Sequence, residues 1–318
     1  MMTSWNPLIS IVVPTRNRTA ILFKAIDSLI KQTYQNFEII IVDDASSDET
    51  VNFIQQIKSI DPRIRVVRSE ENIGPGGARN MGIANSMGSY IAFLDDDDIA
   101  HPNRLALQLE TMVKNPNIGL VFSLVEVVDG EYQTIRIHPK LLSEGNFPQE
   151  PEEVFKLIYT DYCYIPNTTL FIRKEALGDI RYIEDHWLGE DWYLILQLSA
   201  KGVRMLGINK PLAKLYRAEN RAGLLTSIKA NQYKHKIQLL KKMRAWLKLE
   251  GITDFDSYYR IALSNRYIYG SQNEKGVKGL FLCIWGMMLY PKNQVGRIVL
   301  KSRLRGIFTK SIGLMGVR

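Results

Sequence analysis

Four short apolar runs, Leu8–Val13, Phe37–Val42, Ile64–Val67 and Ser89–Leu94, recur through the first third of the chain, each shorter than an ordinary buried helix. Between them the apolar residues take a helical period: Ile21, Leu22, Ala25, Ile26, Leu29 and Ile30 share one face, and Val51, Ile54 and Ile57 share another. This alternation predicts an α/β fold with a mainly parallel central sheet, because parallel neighbours need a long crossover that covers the sheet with helices. Pro14 ends the first run, Asp48 is placed to cap the second helix, and Gly74–Met87 reads as a glycine-rich turn entering a third.

In such sheets ligands bind beyond the carboxyl ends of the strands. There this chain carries Pro14-Thr15-Arg16-Asn17, Asp43-Asp44-Ala45-Ser46 and the run Asp95 to Asp98. Alternate side chains of an extended segment point to opposite sides, so Asp95 and Asp97 share one side and Asp96 takes the other. Hard carboxylate oxygens suit Mg2+ or Mn2+, ions that keep open positions for substrate phosphates. The competing reading is a solvated acidic loop in which Asp98 caps the following helix, Leu105–Val113.

The other candidates also carry two readings each. A carboxylate at Asp43 or Asp44 can accept the imino proton of a pyrimidine base, or it can bond its own backbone in an Asx-turn. Thr15 and Asn17 can meet the same nucleotide or serve the turn. Gly74-Pro75-Gly76-Gly77-Ala78-Arg79-Asn80 lacks both the Lys-Ser/Thr ending of a phosphate loop and the spacing of a dinucleotide fingerprint, and Arg79 can pair with acidic partners or approach a nucleotide. Gly189-Glu190-Asp191 opens a helix whose apolar residues are Trp192, Leu194, Ile195 and Leu198; a carboxylate held there can act as a general base or only as a cap.

Charge divides the chain. Residues 1–225 hold 23 Lys and Arg against 29 Asp and Glu, net −6, whereas 226–318 hold 18 against 4, net +14. The basic part is helical in pattern, with a boundary near Gly223, and its Lys and Arg residues alternate with Leu239, Leu240, Met243, Trp246, Phe281 and Trp285. Such helices can pack on a catalytic domain or lie on an anionic bilayer. No nucleic-acid reader motif accompanies the charge, so nucleic acid is not expected as a partner. Residues 126–152 read as an irregular polar insertion and Asn167–Ile172 as a strand. The polar Met1–Pro7 and the lack of a span near the ~20 apolar residues a membrane helix needs predict a cytoplasmic protein, peripheral at most on the inner face of the plasma membrane. Cys163 and Cys283 have no metal or disulfide spacing and read as apolar filler.

Taken together, Ile9–Asn17, Phe37–Ser46, Asn72–Gly82, Tyr90–Pro102 and Glu190-Asp191 resemble, in order, family 2 inverting glycosyltransferases of the GT-A fold, over about residues 8–200. The resemblance implies a GT-A catalytic domain in residues 1–225, with a nucleotide-binding half to about 125 and an acceptor half after it, followed by a basic helical region in 226–318. It places Pro14, Thr15, Asn17, Asp43 and Asp44 in the nucleotide pocket, with Arg79, Asp95 and Asp96 at the nucleotide sugar. It makes Asp97 the direct ligand of Mn2+ or Mg2+, with Asp95 beside it, and Asp191 the base, paired with Glu190. The implied partners are a nucleoside-diphosphate sugar donor, UDP-linked, and a glycan or lipid-linked acceptor. The Gln-x-x-Arg-Trp signature of processive synthases is absent, since Lys241-Lys242-Met243-Arg244-Ala245-Trp246 does not fit it, which favours one sugar per acceptor. Two rivals are a sugar nucleotidyltransferase, which would carry a glycine-rich loop where Pro14-Thr15-Arg16-Asn17 stands, and a non-catalytic nucleotide-sugar-binding module, which would be marked by loss of Asp97 or Asp191.

Overall fold

The computed structural model describes residues 6–145, 147–161, 165–186, 188–216, 232–253, 255–273 and 276–302. Two compact units are present, one comprising residues 1–155 and 164–221 and the other 156–163 and 222–318. The expected boundary near Gly223 falls outside the described residues, as does Cys163.

The first unit is built on one nine-stranded sheet. Strands β1 (Ile9–Thr15), β2 (Phe37–Asp44), β3 (Ile64–Ser69) and β4 (Tyr90–Phe93) lie parallel in the order β3-β2-β1-β4. Helices α1 (Thr19–Ile30), α2 (Thr50–Lys58) and α3 (Gly74–Ala84) make the crossovers. Every residue of β2 is buried, so a near-continuous apolar run is what this position requires. Register pairs Thr15 with Asp43 and Val12 with Phe93, which sets the three polar strand ends side by side.

Beyond β4 the sheet is mixed. It continues through β8 (Phe171–Arg173), β6 (Leu120–Val128), β9 (Met205–Tyr216) and the two-residue β5 (Ile99–Ala100), with β7 (Thr134–His138) added to β6. Helices α4 (Arg104–Lys114), α5 (Lys140–Ser143), α6 (Pro151–Asp161), α7 (Lys174–Leu177) and α8 (Glu190–Ala200) complete the elements up to residue 216. Ile9, Ile11, Leu22, Leu29, Ile39, Ile41, Ala92 and Phe171 form part of the core.

Three expectations are corrected here. Residues 126–152 are not irregular throughout, because they hold the end of β6 and all of β7, a short strand whose alternating Ile135 and Ile137 are exposed. Asn167–Thr169 is a 3-10 turn and only 171–173 is strand. The glycine block is not a turn entering a helix: α3 starts at Gly74 itself. A Cβ at Gly82 would collide with Val12 of β1, and one at Gly76 with the carbonyl of Ile183. The glycines therefore let α3 lie close to its neighbours despite their low helix propensity.

The second unit contains α9 (Gln232–Leu249), α10 (Asp256–Asn273) and α11 (Gly276–Leu289). Leu239, Leu240, Met243, Ala262, Ile268, Leu282 and Cys283 are buried in it. Gly286 of α11 has no room for a Cβ between Ile268 and the Ser264 carbonyl of α10, and Ser264 Oγ donates to the Gly286 carbonyl at 2.7 Å. Among the described residues no helix is long and apolar enough to cross a membrane.

Candidate active site at the strand ends

The left-handed backbone of Asn17 (φ 53°) turns the chain out of β1. Its amide donates to Ser46 Oγ at 3.0 Å and its Oδ1 accepts from the Ser47 amide at 2.9 Å, so the first two strand ends are stitched together. Asp43 accepts from the Ser46 amide (3.0 Å) and pairs with Arg68. Asp44 receives the amides of Ile73 (2.7 Å) and Gly74 (3.0 Å), so it caps α3 from a neighbouring strand. Both aspartates thus have local partners.

The aspartate run separates into four environments. Asp95 Oδ1 accepts from Arg79 Nη2 at 2.8 Å, and the Asp95 side chain is 30% exposed. Asp96 is buried, taking Thr15 Oγ1 at 2.8 Å and Arg18 Nη1 at 3.2 Å; burial pushes its carboxyl up to about 7 against the pull of Arg18. Asp97 lies nearer the surface and pairs with Arg18 at 2.8 Å. Asp98 is buried and accepts from the Tyr216 amide at 3.2 Å; burial, then Asp97 and Asp95, hold its carboxyl well above the usual range. Asp98 therefore does not cap the next helix as expected. The strand β5 intervenes, and the residue before α4 is Asn103.

Arg79 joins this run to the start of α8. Its buried guanidinium donates to Glu190 Oε1 at 2.7 Å as well as to Asp95, and lies 5.3 Å from the centre of the Tyr182 ring. Asp191, in the first turn of α8, accepts from the Trp192 amide at 2.7 Å; burial, then Glu190, push its carboxyl up to about 7. Asp191 is thus poised where one environment change alters its charge.

Two contributors escaped the sequence reading. Arg18, four residues past Pro14, pairs with both Asp96 and Asp97. Arg104 is fully buried, donates to the Phe93 carbonyl at 2.8 Å, and feels the charges of Asp98 and Asp95 although burial pulls it down to about 10. Arg18 directly follows the first polar strand end, whereas Arg104 stands six residues beyond Asp98 at the start of α4, where nothing local marks it.

The donor set suits a hard divalent cation. Asp95, Asp96, Asp97, Asp98, Glu190 and Asp191 are six carboxyls facing three guanidiniums, Arg18, Arg79 and Arg104, and three of the six are pushed upward, with neighbouring carboxylates contributing to each. No cluster of three or more His, Cys, Asp or Glu with metal-binding geometry occurs among the described residues. Such an arrangement fits an ion held by one or two carboxylates and completed by substrate oxygens, rather than one caged by protein.

Residues 10–180 match Glycosyl transferase family 2, and the chain belongs to that family. Among its relatives, the "Putative teichuronic acid biosynthesis glycosyltransferase TuaG" of Bacillus subtilis (strain 168) is 34% identical over 243 residues, 73% of this chain and 86% of that protein. The "Amylovoran biosynthesis glycosyltransferase AmsB" of Erwinia amylovora is 27% identical over 78% of this chain and 82% of its own. The chain spans only 32% of the length of another relative, an uncharacterized glycosyltransferase of Rickettsia felis, at 34% identity over 207 residues. Among solved structures, S. aureus TarS 1-349 aligns with a TM-score of 0.64 at 18% identity, over 94% of this chain and 91% of that one. The mannosyltransferase PcManGT of Pyrobaculum calidifontis, in complex with GDP-Man and Mn2+, aligns with a TM-score of 0.56 at 17% identity, over 99% and 89%. These neighbours share the GT-A fold.

Proposed function

We propose that the protein transfers a single sugar from a UDP-linked donor to an acceptor hydroxyl, with inversion, in a metal-dependent step of cell-surface polysaccharide or glycolipid synthesis. The observation that carries this reading is the Arg79 bridge, which ties Asp95, at the end where a diphosphate would leave, to Glu190, the neighbour of the candidate base. Acceptor attack and leaving-group departure need groups on opposite sides of one sugar carbon, and a single buried guanidinium holds both sets in fixed relation.

In this reading the turn at Thr15 and Asn17 and the strand end at Asp43 and Asp44 form the nucleotide pocket. Asp97 and Asp95 would hold Mn2+ or Mg2+, which supplies Lewis-acid stabilisation of the departing diphosphate. Asp191 takes the proton of the acceptor hydroxyl as its oxygen bonds to the sugar C1, and the C1–oxygen bond to the diphosphate breaks with its electron pair staying on the diphosphate. Glu190 and Arg79 position that base. The donor class is supported by TarS structures in complex with UDP and with UDP-GlcNAc, the metal by the Mn2+ complex of PcManGT, and the polysaccharide setting by the names of TuaG and AmsB. The acceptor is a glycan or a lipid-linked saccharide, and the basic region 226–318 favours one found at an anionic membrane surface.

The test is release of free nucleoside diphosphate from a panel of sugar nucleotides with and without Mn2+ or Mg2+. Metal-dependent release with one donor supports the reading. Release of pyrophosphate from a nucleoside triphosphate and a sugar phosphate would replace it with nucleotidyl transfer.

A further inference from the structure

Helix α11 is apolar around most of its circumference, a pattern that ordinarily marks a helix covered on all sides. One side is covered: Leu282 and Cys283 are buried, and Gly286 sits on α10. The other is not. Phe281 (61% exposed), Ile284, Trp285 (43%) and Met288 (69%) follow one another at the three- and four-residue steps of a helix, so they share an arc of about 100°. The Phe281 and Trp285 rings are nearly parallel with centroids 6.3 Å apart, and both side chains are exposed. Lys278 is exposed on the same arc one turn earlier, and Lys292, Arg297 and Lys301 are exposed just beyond the helix.

We propose that this face of α11 is a docking surface for an anionic lipid bilayer, lying in the headgroup region with Phe281, Ile284, Trp285 and Met288 directed into the acyl boundary. Charge selects this occupant. From Lys275 to the end the chain carries nine Lys and Arg and no Asp or Glu, so a second copy seated on the same face would bring like charges together. A surface of anionic headgroups over an apolar interior matches both the basic flanks and the aromatic arc. With 14 residues α11 is about 21 Å long, short of the roughly 30 Å hydrocarbon core, so it lies on the bilayer and does not span it. The inference deepens the reading that 226–318 meets an anionic surface, and it is independent of sugar transfer, since none of these residues belongs to the strand-end site.

The experiment is cosedimentation of the full chain with vesicles of phosphatidylcholine alone or with about a third phosphatidylglycerol. The expected result is binding to the anionic vesicles at least about ten-fold stronger than to the neutral ones. Phe281→Ser with Trp285→Ser should lose about ten-fold or more of that binding, with an unchanged circular-dichroism melt and unchanged nucleotide release in vesicle-free solution. Lys278→Gln with Lys292→Gln and Arg297→Gln should remove most of the preference for anionic vesicles. Brominated lipids should quench Trp fluorescence in the wild type, and Trp285→Phe should still bind but lose most of that quenching. Equal binding of wild type and the double serine variant would overturn the proposal. So would a concentration-dependent dimer, seen by light scattering, that the same variant abolishes. Failure of nucleotide release with intact vesicle binding would instead overturn the catalytic reading alone.

Discussion

Arg18, Arg79 and Arg104 in the first unit sit against carboxylates or a strand carbonyl beside the aspartate run, whereas Arg266, Lys236 and Arg244 of the second unit meet backbone carbonyls and aromatic rings. Arg266 donates to the carbonyls of Tyr159 and Thr160 in the last turn of α6, Lys236 lies 5.1 Å from the Tyr269 ring centre, and Arg244 lies 4.4 Å from that of Tyr259. Burial and the nearby Arg266 pull the Lys236 ammonium down to about 8. The contrast shows two uses of one residue class. In an acid-rich site a buried cation fixes the positions of carboxylates, while in an acid-poor helical unit cations satisfy helix ends and ring faces.

The sharpest way to break this comparison is to remove the charges the first unit organises. Asp191→Asn should keep donor affinity within about two-fold and lower turnover by about a thousand-fold, as read by calorimetry and nucleotide release. Near-normal turnover would move the base elsewhere. Asp97→Ala should cost about a hundred-fold or more in Mn2+-dependent nucleotide affinity, and an unchanged calorimetric titration would deny Asp97 the metal. Arg79→Met leaves Asp95 and Glu190 facing one another; urea unfolding should report a loss of about 3 kcal/mol, below the full value for a buried pair only because Asp95 is partly solvated. Turnover should follow the ionisation of Asp191, which burial raises to about 7. A base must be deprotonated to act, so the rate climbs with pH below about 7, roughly ten-fold per unit, and flattens above. A flat profile from pH 5 to 8 would remove Asp191 from the proton transfer. At the small end, Lys241→Gln with Lys248→Gln, both exposed on α9, should change vesicle-free turnover by less than about two-fold.

The parallel half of the sheet was legible because each of its strands is a short apolar run and the crossover helices α1 and α2 each have an apolar stripe. The acidic strand ends could be read for the same reason: carboxylates after Leu94 or Val42 stand where a buried strand stops. What could not be read was pairing across distance. Arg18 meets Asp96 and Asp97 only after the sheet has formed, and nothing in its local pattern marks them; for Arg79 the sequence points to acidic partners, and the structure shows them to be Asp95 and Glu190. Asp98 was misassigned because capping is judged from neighbours in sequence, whereas its partner is the amide of Tyr216. The glycines of α3 looked like a turn because glycine disfavours helices, yet their role is close approach to Val12 and Ile183. The strand β7 does alternate, with Ile135 and Ile137 between polar residues, but it is only five residues long, lies in a polar stretch and leaves both isoleucines exposed.

Helix α3 is held at three points: Asp44 at its start, Ile183 over Gly76 and Val12 beneath Gly82. Arg79 lies between these points, so its guanidinium acts as a ruler of fixed length between Asp95 and Glu190. A ruler of this kind makes the site tolerant in one respect and strict in another. Loops around it can change without altering the spacing between Asp95 and Glu190, which in the proposed transfer separates the leaving and the attacking sides, because lengthening it would require refitting the helix to the sheet.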